Sequence, residues 1–158
     1  MKIHGEWRIS VVGANQDVMV RTTAGSFNER GTNAVFQETL EKMPQDRPWV
    51  TLGDARLWEM STSASLQAIP AMRDWLFQRG CVGLAIVLPG RIRSLIFQRE
   101  TGSIPNEQMQ FFSTLEDACE WLTSLGFPFT SADYPHTEFV TQFLAKQTHD
   151  VLDFPTIK

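Results

Sequence analysis

The segment Val82-Gly83-Leu84-Ala85-Ile86-Val87-Leu88 constrains this chain more than any other. It carries no polar side chain, so neither of its faces is suited to water. A half-buried strand alternates apolar and polar residues. An unbroken apolar run of this length reads as a strand covered on both faces, as in a parallel sheet flanked by helices. The run opens at Cys81 and closes at Pro89-Gly90. It is far shorter than the ~20 residues that span a bilayer, and no membrane segment is expected.

The rest of the chain supplies elements that fit such a sheet. Two β-prone runs, Trp7 to Val12 and Val18 to Arg21, flank the turn-rich Gly13-Ala14-Asn15-Gln16-Asp17 and predict an antiparallel hairpin. Phe36, Leu40 and Met43 recur at helical spacing, with Asn28 as N-cap and Pro44 behind the last turn. Trp49 to Asp54 is the next strand, and Arg56 to Met60 reads as a loop. Ser61-Thr62-Ser63 opens a helix that carries Leu66, Ile69, Met72 and Leu76 and stops at Gly80. Pro70 lies inside it, so either the first turn starts later or the helix is kinked.

After Gly90, Arg91 to Phe97 reads as a helix and Met109 to Phe112 as a short strand. Ser113 and Glu116 suggest a capping box for a helix carrying Leu115, Ala118, Cys119 and Leu122, which Gly126 ends. Strands that alternate with helices imply right-handed crossovers. The expected fold is therefore α/β, a mixed and mainly parallel sheet flanked by helices. The run Val82–Leu88 is expected at its centre and the Trp7–Arg21 hairpin toward an edge.

At 158 residues, one hydrophobic core is expected. The formal charge of −4 argues against nucleic acid as a partner, because phosphate neutralisation leaves a basic footprint. Cys81 and Cys119 read as small core side chains, and no Cys/His spacing suggests zinc. The N-terminus lacks the apolar stretch of a secretory signal, which makes the cytoplasm the expected compartment. No cofactor and no metal are expected.

Motifs for nucleotide binding, serine hydrolysis or zinc proteolysis are absent. His4, His136 and His149 lie near the chain ends and are expected on the surface or in a tail. Open α/β sheets bind ligands at the carboxyl ends of their parallel strands. One such end carries Asp54, Arg56, Trp58 and the helix start Ser61-Thr62-Ser63; the other carries Gly90, Arg91 and Arg93. Trp58 is the tryptophan expected to be exposed. A helix N-terminus beside arginines can hold an anion. The alternative is that the hydroxyls are helix caps and the arginines are solvated.

Three stretches, PWVTLGDARLWEMSTSASLQAI, RGCVGLAIVLPG and FFSTLEDACEWL, resemble the STAS-like superfamily of anti-sigma-factor antagonists and uncharacterised bacterial relatives. The resemblance runs from about Trp7 to Leu125 and implies a STAS-like domain over residues 1–126. It also implies a regulatory module that works through protein contacts, with a phosphorylation switch at Ser61, Thr62 or Ser63. The acidic residue and the glycine of the family's switch pattern are missing from Met60-Ser61-Thr62-Ser63-Ala64.

Two functions are expected from these readings. One is a non-enzymatic binding or regulatory module with an unidentified protein partner. The alternative is a small-ligand or lipid-binding protein with its pocket under the strand ends. The C-terminal extension, residues 127–158, holds Phe127, Phe129, Phe139, Phe143 and Phe154. So much apolar surface must dock, either on its own domain or in a homodimer interface.

Overall fold

A computed structural model describes residues 2–59 and 61–152. Five strands form one sheet in the order β1 (Glu6–Val12), β2 (Val18–Gly25), β3 (Trp49–Trp58), β4 (Cys81–Val87) and β5 (Met109–Phe112). β1 and β2 are antiparallel, and each later strand is parallel to the one before it. The five helices are α1 (Glu29–Lys42), α2 (Ser63–Gln78), α3 (Arg91–Thr101), α4 (Leu115–Ser124) and α5 (Thr137–Leu152). Because neighbouring parallel strands follow one another in sequence, right-handed crossovers put α1, α2 and α3 on one face. Helix α4 covers the other face.

Alternation along the strands divides the core accordingly. Met19, Trp49, Leu84, Ile86 and Leu88 face α1–α3 together with Leu66 and Leu76. Val18, Val20, Val50, Leu52, Ala85 and Val87 face α4 and meet Leu115, Ala118, Cys119 and Leu122. The apolar run is thus buried on both faces as expected, apart from Val82, which is exposed. It is not the middle strand, however. That place belongs to β3, because the hairpin adds two strands on one side and only β5 lies beyond β4.

Several local expectations change for physical reasons. Strand β3 runs on through Arg56 to Trp58, where a loop was expected. A bulge lies there, since Thr22 pairs with Asp54 but Ala24 pairs with Leu57. The extra residue shifts the side-chain alternation, so Trp58 joins the α1–α3 face, where it is buried rather than exposed. In α1 the buried positions are Gly31, Thr32, Val35 and Thr39, while Phe36 packs edge-on against Trp75 of α2. Small residues face inward because α1 lies close against its neighbours. Thr114, not Ser113, caps α4, accepting from the backbone N–H of Asp117.

Asn28 caps α1 and Thr62 caps α2 through their side chains. Helix α2 starts at Ser63 and passes through Pro70, which costs it one bond to the carbonyl of Leu66. Leu52, fully buried in the middle strand, tests the arrangement directly. Leu52→Ala removes contacts with α4 and is expected to lower unfolding stability by about 2–5 kcal/mol in urea titrations. A loss typical of a surface site would contradict the placement of β3.

Candidate functional site

Thr22 and Asp54 face each other across β2 and β3, and each is 1 % exposed. Their face, the one covered by α4, is completed by the segment that follows that helix. Tyr134, just after a short 3-10 turn (Ser131–Asp133), donates from its hydroxyl to Asp54 Oδ2 at 2.6 Å. The same carboxylate accepts Arg56 Nε on Oδ1 and Arg56 Nη2 on Oδ2, both at 2.9 Å, and the Arg56 backbone N–H on Oδ1 at 3.1 Å. These four donors match the roughly four acceptor sites of a carboxylate. Asp54 therefore has no capacity left for a metal, a substrate proton or a second ligand.

The network continues from Tyr134 toward the hairpin. Thr22 Oγ1 lies 2.7 Å from Tyr134 Oη and 2.8 Å from His136 Nδ1, and His136 Nε2 lies 2.8 Å from Ser10 Oγ. Burial makes His136 a poor base, lowering its pKa to about 4 although Asp54 pulls the other way, so the ring is neutral near pH 7. Counting protons then fixes the direction of every bond. The Tyr134 hydrogen goes to Asp54, so the Thr22 hydrogen goes to Tyr134. Thr22 accepts from His136 Nδ1–H, which leaves Nε2 to accept from Ser10. Burial, and then the Asp54 charge, raise the Tyr134 pKa, and bonding to Asp54 raises that of Arg56. His136, expected on the surface, is 5 % exposed.

The opposite face of β3 holds a cavity of about 160 Å³ between the sheet and α1–α3. Gly53 lies on its floor, between Arg21 of β2 and Ile86 of β4 in the strand register. With no side chain there, a gap remains between its two neighbours. Phe27, Val35, Ile69, Leu76 and Phe97 contribute apolar walls, and Trp58 stands edge-on to Phe97 with ring centroids 5.5 Å apart.

At the carboxyl end of β3, the structure brings some of the expected site residues together. Arg56, Trp58 and Arg93 border an open cleft of about 300 Å³ with Glu59, Phe143 and Gln147. Arg93 donates to the Trp58 carbonyl, tying α3 to β3. Arg91 is exposed and lies outside this cleft, and Gly90 precedes α3 with φ 93° and no side-chain cap. At the start of α2, Ser61 Oγ accepts the Phe27 N–H at 3.1 Å and Thr62 is the N-cap. Ser63 is exposed and has no side-chain hydrogen bond among the described residues. Among those residues, no three His, Cys, Asp or Glu side chains gather as a metal site. Among the described residues, no helix is long and apolar enough to cross a membrane.

No family model matches the chain, and no curated protein matches it. Among solved structures, an uncharacterized DUF3478-family protein with a SpoIIAA-like fold, from Shewanella loihica, is similar. It aligns with a TM-score of 0.54 at 16 % identity, covering 77 % of this chain and 98 % of that one. This chain has a SpoIIAA-like fold. The STAS-like architecture expected from the sequence is the one it adopts. At such low identity the likeness concerns architecture alone.

Within this SpoIIAA-like frame, Ser10, Thr22, Tyr134 and His136 escaped sequence reading. They stand 12, 112 and 2 positions apart along the chain, as their numbers show, and no spacing rule joins them. Arg21, at the end of the run expected to form the hairpin, escaped too.

Two outcomes test the network. Tyr134→Phe leaves Asp54 one donor short and strips Thr22 of its acceptor, so a loss of about 1–3 kcal/mol is expected in chemical denaturation. The second concerns pH. His136 has a folded pKa of about 4 against an ordinary value of 6.5, so on acidification the unfolded chain takes up the proton first. Its contribution is complete above pH 6.5 and is lost as pH falls toward 4. Wild type is therefore expected to lose more stability over that range than His136→Gln, as read from urea midpoints.

Proposed function

We propose that this protein is a small-molecule-binding module whose ligand occupies the cavity between the sheet and α1–α3. The observation that carries the reading is the cavity itself, in a core where close packing is the rule. At about 160 Å³ it matches the size of an engineered apolar cavity of roughly 150 Å³ that binds benzene. Its lining agrees with the general preference for a concave, mostly apolar pocket with a few polar groups. The alternative drawn from the sequence, a pocket under the ends of the parallel strands, lies close to this place, since Trp58 borders both the cavity and the cleft.

Helix α3 is the natural cover to move during entry. Of its residues only Thr101 is buried, and Ile92, Leu95 and Ile96 are exposed. A helix anchored so lightly opens at lower free energy than the core strands.

A regulatory module acting through protein contacts is the second reading. The exposed apolar residues of α3, together with Ile104 at 74 % exposure, favour it, because contiguous apolar surface marks interaction sites. The switch that the family resemblance implies has less support. A phosphate on Ser61 or Thr62 would remove a hydrogen bond that holds Phe27 or the first turn of α2.

Gly53→Val is the decisive variant. A Cβ at Gly53 would meet only Ala85 O at 3.6 Å and Ile86 Cγ1 at 3.9 Å, ordinary contact distances, and a β-branched residue suits a strand. The variant is expected to fold with unchanged or higher stability and to fill the cavity floor. Calorimetric titration with benzyl alcohol should show saturable one-site binding to wild type, with a Kd of about 1 mM or tighter, and none to Gly53→Val. Absence of binding to wild type would overturn the reading.

A further inference from the structure

We propose that the cavity is a site for a small carboxylate, either a single aromatic ring or a short alkyl chain bearing one carboxyl group, with Arg21 holding the anion. The proposal rests on the cavity being a ligand site and adds the chemical class of its occupant.

Arg21 is placed where a charge has no ordinary reason to be. It lies within β2, opposite Ile9 of β1 and Gly53 of β3, on the face covered by α1–α3. Among the described residues no carboxylate pairs with it, and its side-chain nitrogens make no hydrogen bond. Its Nε is fully buried and unpartnered. Arg21 as a whole is half-buried, and the partial burial of its guanidinium lowers the pKa. Replacing such a group with an apolar side chain of similar size commonly stabilises a protein. A half-buried arginine whose Nε has no partner carries a desolvation cost that a ligand of opposite charge would offset.

The lining agrees on sign. Its charged members are Arg21 and Arg73, with no aspartate or glutamate. Arg73 is already engaged, donating to Ser103 Oγ at 2.7 Å and lying 3.7 Å from Asp74. Arg21 is the uncommitted one. Thr32 and Ser65 also line the cavity and are hydrogen-bonded to each other through their hydroxyls. One O–H makes that bond, and the second has no acceptor among the described residues, which provides a neutral donor in the same cavity.

Size and wall chemistry narrow the class. A bare inorganic anion would leave the phenylalanine, leucine and isoleucine walls unmatched. A long-chain lipid exceeds about 160 Å³. One ring or a short chain with a single carboxylate satisfies both the walls and the guanidinium, whose planar fork suits a carboxylate.

The test compares benzoate with benzyl alcohol, which share a ring and differ in charge, by calorimetry at neutral pH and constant ionic strength. Wild type is expected to bind benzoate at least tenfold more tightly. Arg21→Met should erase that preference while keeping benzyl alcohol binding, and its urea midpoint should equal or exceed that of wild type. Arg21→Gln serves as the second variant if the methionine protein does not fold. Equal binding of the two compounds by wild type would overturn the carboxylate assignment and leave the cavity reading standing. Binding of neither would overturn both. A benzoate preference that survives in the Arg21 variants would show that Arg21 is not the anchor.

Discussion

The buried carboxylate of Asp54 is the constraint on which the rest of this structure depends. An ionised group in the interior is tolerable only when its acceptor sites are filled. Here the four donors come from two sources: Arg56 on the same strand, and Tyr134 from eighty residues away. The charge thus requires that the segment after α4 be folded back onto the sheet. That segment brings His136, whose two ring nitrogens reach Thr22 and Ser10, so the hairpin is drawn into the same chain of bonds. Phe139 and Phe143 follow on α5 and pack with Ala24 and Leu57, extending the contact in apolar form. The C-terminal extension is in this way bound to the sheet by directional bonds as well as by hydrophobic area.

One strand serves two different environments. On the α4 side β3 presents Val50, Leu52 and Asp54, all buried and fully partnered. On the other side it presents Gly53, which leaves room, and beyond the bulge it presents Trp58. Without the extra residue between Asp54 and Leu57, strict alternation would send Trp58 to the side of Asp54. The bulge lets a short strand provide a satisfied charge on one face and an aromatic wall on the opposite face.

The parts of the fold that were legible in the sequence are those set by local chemistry. The unbroken run Val82–Leu88 announced a doubly covered strand, Asn28 and Thr62 sat where helices begin, and Gly80 where one ends. Position within the sheet was less legible, because an apolar run states how deeply a strand is buried and not how many strands lie on each side. The site was half legible. Asp54, Arg56 and Trp58 are neighbours in sequence, and their strand end drew attention to them. Tyr134 and His136 gave no signal, since a tyrosine and a histidine around Pro135 look like any loop. The bulge was also hidden, and with it the burial of Trp58.

The two faces also differ in energetic terms, and the difference bears on what the cavity is for. The cavity between the sheet and α1–α3 leaves the apolar side chains that line it short of packing partners on that side. The unpartnered Arg21 Nε in the same place adds a desolvation cost. A side chain at position 53 would add packing on the cavity floor, and its Cβ would meet Ala85 O and Ile86 Cγ1 only at ordinary contact distances. The closed, fully hydrogen-bonded side around Asp54 supplies the stability that lets the opposite side remain open. A bound anion would recover part of the loss through linkage, in proportion to its concentration over its dissociation constant. Occupancy would then tighten the α1–α3 side, where α3 is held least, and leave the Asp54 side as it is.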